Sequence, residues 1–478
     1  MIFLLGLGLR LYNLGGESIW FDEAVSVAAS KLGFLEQIRW SLSSSDNNPP
    51  FYYAFLRLWV LLCGDSEFAV RLPSAVFGSL SILIIYAVGF RLFNRKTALL
   101  AALVLAVSVF HIKFSQEGRA YSLSTLLTLL SYYFFLKCAA RGKRSDSVGY
   151  IVSSELLIYT HYYGLFIILS QNIYCAWQYI SRRESGAPGF RKWIMLQVIL
   201  GILYIPGLYI LYRHSIGIKK GFWLSPPDLK VLFDCFELYS GSVYLLILLT
   251  VLSLSAVFNI RGYGISRYPG GDSGPSARYP GEFNPPYSES VLLLILWLFI
   301  PVAVPFLISH VSTPIFFYRY TIVGSLAFYM LASVGAVRTG GRKFIFLAAG
   351  LILIFSTINI FGYYERVNKP DWRSGIGHIE SEAGAGDVIV LYPWYETEAA
   401  GYYAERGDLT IVALTDEFYS ADYTRDKDFW LVLCDRWLDD VGHNKRTIEE
   451  RIAQGYDVVD TIEFPYLYIY RLERKKNE

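Results

Sequence analysis

Two adjacent carboxylates, Asp22 and Glu23 in Trp20-Phe21-Asp22-Glu23-Ala24, are the first residues along the chain with the makings of acid–base chemistry. Further on come Asp46-Asn47-Asn48-Pro49-Pro50, Gln116-Glu117-Gly118-Arg119, His161, Phe317-Tyr318-Arg319-Tyr320 and Lys369-Pro370-Asp371-Trp372-Arg373. A carboxylate can take the proton from an attacking nucleophile while a fixed cation holds a departing phosphate as its negative charge develops. Arginine suits the second task because its planar fork grips phosphate oxygens in pairs and never deprotonates. Such a set could transfer a sugar from a lipid-phosphate donor, with Asp22 as base and Arg119 as phosphate clamp. The plainer alternative is that each cluster merely caps or anchors its own helix. The elements that carry the clusters decide how far the chemistry can be taken.

The 478 residues are 54% hydrophobic and 17% aromatic, with only 18% charged. Mean hydropathy is +0.36. That is more apolar surface than a soluble chain of this length can bury, so the fold class expected is a polytopic α-helical membrane protein. The 37 Tyr, 32 Phe and 11 Trp suit aromatic belts at the two interfaces. A net charge of +2 excludes a strong nucleic-acid field. Cys63, Cys138, Cys175, Cys235 and Cys434 are scattered without a CxxC and predict neither a disulfide framework nor a metal site. Met1 to Leu14 is too short for a span and lacks a signal-peptide cleavage site. The first helix is therefore truncated, or the true start lies upstream.

Loops rich in Lys and Arg orient the runs. Placing Asn94-Arg95-Lys96, 141–144, 182–192, 261–278 and 338–343 in the cytoplasm gives spans at 68–93, 97–114, 119–138, 148–162, 164–181, 192–212, 241–260, 290–310, 321–337 and 344–362. With the N-terminal helix that makes about 11 transmembrane helices. Pro49 to Cys63 is short for a span and is read as interfacial or re-entrant, so 13–68 forms one outer loop, with an amphipathic helix from Ala24 to Trp40. The Gly-, Pro- and Tyr-rich stretch 261–290 reads as a cytoplasmic linker.

Residues 1–362 make up the membrane domain. Residues 363–478 change to a mixed, charged pattern and read as a small extracytoplasmic α/β domain. Its helices are expected at Asp371 to Ala383 and Lys445 to Gln454. Strands are expected at Asp387 to Tyr392, Leu409 to Leu414 and Phe429 to Cys434, with a hairpin of Val458 to Phe464 and Leu467 to Leu472. It holds no GxGxxG, P-loop or nucleophile elbow, and its default role is acceptor recognition or structural cover. In this topology all the polar clusters reach one leaflet, where charge at the bilayer boundary is a functional-site hypothesis.

Trp20-Phe21-Asp22-Glu23-Ala24, Asn48-Pro49-Pro50-Phe51-Tyr52-Tyr53, Arg71-Leu72-Pro73-Ser74-Ala75 and Ser115-Gln116-Glu117-Gly118-Arg119-Ala120-Tyr121, in this order, resemble the GT-C membrane glycosyltransferases. Within them the chain is similar to the branch of protein O-mannosyltransferases and lipid A aminoarabinose transferases. The resemblance covers the first 170 residues well and the rest of the membrane part more loosely. It implies that Asp22 is the catalytic carboxylate of the first outer loop with Glu23 its neighbour. It also implies that Glu117 and Arg119 form the second outer-loop motif, where Arg meets the lipid phosphate. The branch usually carries His or a charged residue before Pro-Pro, whereas this chain has Asn48, a poor transition-metal ligand.

Several positions keep two readings. His161 is a hydrogen-bonded interfacial histidine, or an acceptor contact or metal ligand. Arg319 with Tyr320 is an aromatic belt holding a snorkelling Arg, or a second phosphate contact. Lys369 is a further candidate for the phosphate, and Asn48 and Asp46 for the acceptor or a metal, Asp46 otherwise being a turn residue. No cofactor is certain, and a divalent cation stays open. The function expected is an inverting hexosyl- or pentosyltransferase of the cell membrane, multi-pass, with its active site on the extracytoplasmic side. Its partners would be membrane lipid, a polyprenyl-phosphate-linked sugar donor and an acceptor protein, lipid or glycan, with no nucleic acid. The alternative is a lipid or sugar transporter or flippase. A transporter would place coupling sites near the midplane in repeated halves, and no internal repeat is present.

Overall fold

The computed structural model describes residues 1–43, 48–140, 142–181, 188–219, 224–258, 285–414, 428–434 and 456–475. Its helices begin with α1 (Ile2–Leu11), α2 (Phe21–Lys31), α3 (Phe34–Ser43), α4 (Phe51–Cys63) and α5 (Glu67–Leu92). There follow α6 (Arg95–Val107), α7 (Val109–Ser115), α8 (Tyr121–Ala139), α9 (Arg144–Thr160), α10 (Gly164–Ile180), α11 (Phe190–Leu203) and α12 (Ile205–Lys219). The last are α13 (Lys230–Ser240), α14 (Val243–Phe258), α15 (Tyr287–Val311), α16 (Ile322–Thr339), α17 (Arg342–Glu365), α18 (Trp372–Glu382) and α19 (Thr397–Tyr403). Every run expected to span is helical, but the count of about 11 is modified. Among the described residues, α5, α8, α15, α16 and α17 are each long and apolar enough to cross a membrane. The pairs α6–α7, α11–α12 and α13–α14 qualify only as bent units, giving up to 8. Of the other expected spans, α1 has 10 residues, and α9 and α10 have 17 each.

The bends have local causes. Ser108 caps α7 by accepting the His111 N–H, which ends α6 and turns the pair by 58°. Pro206 in the first turn of α12 can donate no backbone bond, so α11 stops at Leu203. Tyr159 repairs that break, its hydroxyl donating to Leu203 O and accepting from Gly207 N–H. Gly241 closes α13 in the left-handed region at φ +85°, and the chain then swings through 93° into α14.

The chain forms two compact units. The first comprises Met1–Tyr12, Gly33–Phe55 and Arg71–Tyr363; the second Asn13–Leu32, Leu56–Val70 and Tyr364–Glu478. The expected helix from Ala24 to Trp40 is instead two, α2 and α3, divided where the units divide. Gly33 interrupts it, and Glu36 restarts the helix by accepting the Gly33 N–H.

In the first unit α16 is buried on every side from Ile322 to Ala336, as befits the centre of a bundle. It packs against α14, α15 and α6, while α8 packs on α9 and α10 on α15.

In the second unit a five-stranded sheet has the order β2-β1-β3-β5-β4. Its strands are β1 (Val388–Tyr392), β2 (Thr410–Ala413), β3 (Phe429–Cys434), β4 (Tyr456–Phe464) and β5 (Leu467–Arg474). β1 runs parallel to β2 and β3, and β5 is antiparallel to β3 and β4. β3 is buried along its whole length and β1 through Leu391, the pattern of parallel strands covered on both faces. The expected strands and α18 are present. The expected helix from Lys445 to Gln454 and most of the 261–290 linker lie outside the described residues.

Candidate active site

In the first unit the loop from Gln116 to Ala120 is fixed at both ends. Gln116 donates to the carbonyls of Arg10 and Tyr12, at 3.2 and 2.7 Å, and accepts from the Tyr363 hydroxyl at 3.0 Å. Ser122 donates back to Phe114 O and to Ser115 Oγ. Between these anchors the Arg119 N–H closes a tight turn onto Glu117 O. The Arg119 side chain is only 7% exposed and donates to the Tyr53 hydroxyl at 3.3 Å, while its carbonyl accepts from Ser74. Glu117 is buried as well.

His161 occupies the turn between α9 and α10. Its ring lies 6.0, 5.5 and 5.1 Å from the rings of Tyr121, Tyr163 and Tyr320. The Tyr163 hydroxyl donates to Ile315 O, which ties this turn to the segment leading into the 3-10 turn Tyr318–Thr321. Tyr320 stacks on Tyr121 at 6.5 Å, and the Arg319 guanidinium lies over Phe317. His161, Tyr121, Tyr163 and Tyr320 are thus brought into one aromatic cluster, and the Arg119 charge reaches the His161 ring.

The same unit shows a buried cation that the sequence reading passed over. Arg10 has no solvent exposure and donates to Gly6 O, Ala106 O, Leu105 O and Ser115 Oγ. Leu105 and Ala106 are among the last carbonyls of α6, left open by the break at Ser108, so Arg10 completes that helix end. Gly78 makes room for it, since a Cβ there would lie 2.1 Å from Ser115 Oγ and 3.0 Å from Arg10 Nε. An arginine inside an apolar N-terminal helix was the available signal. Tyr53 and Tyr121 stood in the motifs with no role assigned to them.

In the second unit Asp22 and Glu23 open α2, where negative charge suits the helix N-terminus. The two separate at once. Asp22 is half-buried, whereas Glu23 has no exposure and accepts from Lys369 Nζ at 3.0 Å. Around that pair the chain is laced together. Asp371 caps α18 and accepts from Ser18, Trp372 sits in a core with Ile19 and Ala24, and Arg373 pairs with Glu67 at 2.6 Å. Tyr403 donates to Glu67 and accepts the Ile19 N–H. Burial, and then the Glu67 carboxylate, push the Tyr403 phenol above its ordinary pKa, so it stays a donor. Burial would lower Arg373, but its bond to Glu67 holds it above the usual value.

Residues 47–209 match the family model of dolichyl-phosphate-mannose-protein mannosyltransferases. The whole chain is similar in fold to ArnT from Cupriavidus metallidurans in the apo state, with a TM-score of 0.63 and 12% identity over 98% of this chain and 97% of that one. The same protein bound to undecaprenyl phosphate gives 0.59, at the same identity and coverage. The Archaeoglobus fulgidus oligosaccharyltransferase in complex with Zn and sulfate gives 0.54 and 12%, over 89% of this chain and 64% of that one. The family model covers residues 47–209 alone, and the solved structures show a likeness of fold. No protein of curated function matches its sequence. The chain has the helical fold, with helices long and apolar enough to cross a membrane, and the small C-terminal sheet expected from its sequence.

The site residues expected from the sequence fall in both units. Asn48, Glu117, Arg119, His161, Arg319 and Tyr320 belong to the first; Asp22, Glu23 and Lys369 belong to the second. Asp46 lies outside the described residues. Asn48 is half-buried just before α4. Among the described residues no three His, Cys, Asp or Glu side chains come together as a metal-ion cluster.

Proposed function

We propose that the chain is an inverting glycosyltransferase that moves a sugar from a polyprenyl-phosphate carrier to an acceptor on the outer face of the membrane. The acceptor's nucleophilic atom bonds to the anomeric carbon as the bond from that carbon to the phosphate oxygen breaks, the electron pair leaving with the phosphate. Asp22 takes the acceptor proton, and Arg119, with Arg319, holds the phosphate as its charge grows. The observation that carries this reading is the buried Arg119, held by Tyr53 and with its charge reaching the His161 ring. Undecaprenyl phosphate bound to ArnT, a protein of similar fold, supports the donor class. The basic loops support the orientation, with 363–478 outside as an α/β domain. Of the adjacent carboxylates, Glu23 is occupied by Lys369, which leaves the base role to Asp22.

The test is Asp22→Asn in the full chain, which keeps the shape and the helix-start character of the residue. Transfer from a polyprenyl-phosphate sugar in membrane vesicles should fall by about 10²- to 10⁴-fold while yield and melting temperature hold. Undiminished transfer would remove Asp22 from the mechanism. Mass analysis of glycans and glycolipids from a deletion strain should reveal a missing sugar and identify its acceptor; an unchanged profile counts against transfer altogether.

A further inference from the structure

His161 is 5% exposed, and its two ring nitrogens are in different situations. Nδ1 lies 3.2 Å from the Tyr163 backbone N–H, which can only donate. Nδ1 therefore accepts, and in the neutral ring the proton sits on Nε2. Nε2 is buried with no hydrogen-bond partner among the described residues. A buried donor left open in this way calls for an explanation, and a ligand supplies one. The lone pair a metal would need is already engaged at Nδ1, and Nε2 carries hydrogen, so the ring is set to donate and not to ligate a metal.

What surrounds the ring narrows the ligand. Arg119 is near enough for its charge to act on the imidazole. Tyr121, two residues beyond Arg119, and Tyr320, next to Arg319, enclose the ring. An open N–H within reach of a guanidinium's positive charge suits an anionic acceptor, and a phosphate oxygen is one.

We infer that His161 Nε2–H donates a hydrogen bond to the phosphate of the lipid-linked donor, making His161 a substrate-contact residue and not a metal ligand. This rests on the donor class proposed above.

The purified full chain in detergent, titrated with undecaprenyl phosphate and with undecaprenol as the phosphate-free control, tests it. Glutamine places an amide N–H near where Nε2 stands, whereas asparagine replaces the Nδ1 end and can still accept from Tyr163 N–H. His161→Gln should bind within about threefold of wild type, while His161→Asn and His161→Phe should bind undecaprenyl phosphate about tenfold or more weakly. Undecaprenol binding should be alike in all. If His161→Asn binds as wild type and His161→Gln does not, the ring serves only Tyr163 and the inference is overturned. Loss of wild-type binding on chelation with EDTA overturns it in favour of a metal. Should His161→Phe fail to fold, the Gln and Asn pair still decides. A wild-type chain that binds no undecaprenyl phosphate sinks the donor class, and this inference with it, whereas wild-type binding with the wrong order of variants sinks the inference alone.

Discussion

The Glu23–Lys369 pair of the second unit and the Arg119–His161 cluster of the first are both buried, yet they spend their polarity differently. Glu23 and Lys369 neutralise each other at 3.0 Å, and the charged residues that follow, Asp371 and Arg373, are engaged by neighbours within the same unit. His161 keeps an N–H without an acceptor among the described residues, within reach of the Arg119 charge. Burial by itself therefore does not identify a site. Charges that cancel inside their own unit hold a fold together, whereas a donor kept dry without an acceptor points to a molecule that arrives later.

Three substitutions break or sharpen this contrast. The largest effect is expected from Lys369→Met, which strands Glu23 as an uncompensated buried charge. About 3–5 kcal/mol of stability should be lost, read as a lower melting temperature, with partial recovery when Glu23→Gln is added. If stability holds and undecaprenyl phosphate binding falls instead, Lys369 serves the phosphate and the contrast fails.

Next is Arg119→Lys, which keeps the charge and removes the planar fork. Transfer should drop by about 10- to 100-fold with the melting temperature little changed. An equal loss of stability would make Arg119 a second Lys369.

The smallest is Tyr53→Phe, which removes one hydroxyl that receives the Arg119 guanidinium. A loss of about 0.5–1.5 kcal/mol in phosphate binding is expected, visible as a severalfold weaker Kd. No change in that Kd would show that the loop anchors alone orient Arg119.

Much of the fold could be read in the sequence because apolar runs and basic loops report directly on the bilayer. The strands of the C-terminal sheet were legible for a similar reason, since Val388 to Leu391 and Phe429 to Cys434 are continuous apolar runs bounded by polar residues. Three things were not legible. The breaks at Ser108 and at Tyr204 sit inside runs that hydropathy averages into one span each, and only a capping hydroxyl or a proline betrays them. Gly33 with Glu36 carried a stop and a restart that the amphipathic pattern from Ala24 to Trp40 concealed. Glu23 finds Lys369 across 346 residues, and periodicity holds no information about that pairing. The motif around Arg119 was visible as chemistry, yet the tyrosines that enclose His161 are ordinary membrane-interface residues until the turns are folded.

Arg10 is synthesised long before two of the carbonyls it serves, 95 and 96 residues downstream. A nascent chain must therefore carry that cation without its α6 partners until α6 has emerged and bent at Ser108. Only when the first helix has swung back onto the break does Gln116 gain the carbonyls of Arg10 and Tyr12 that seat the Arg119 loop. The helix that carries Arg10 is in this sense locked only after α6, and removing it should leave a bundle that inserts yet never organises the Arg119 loop.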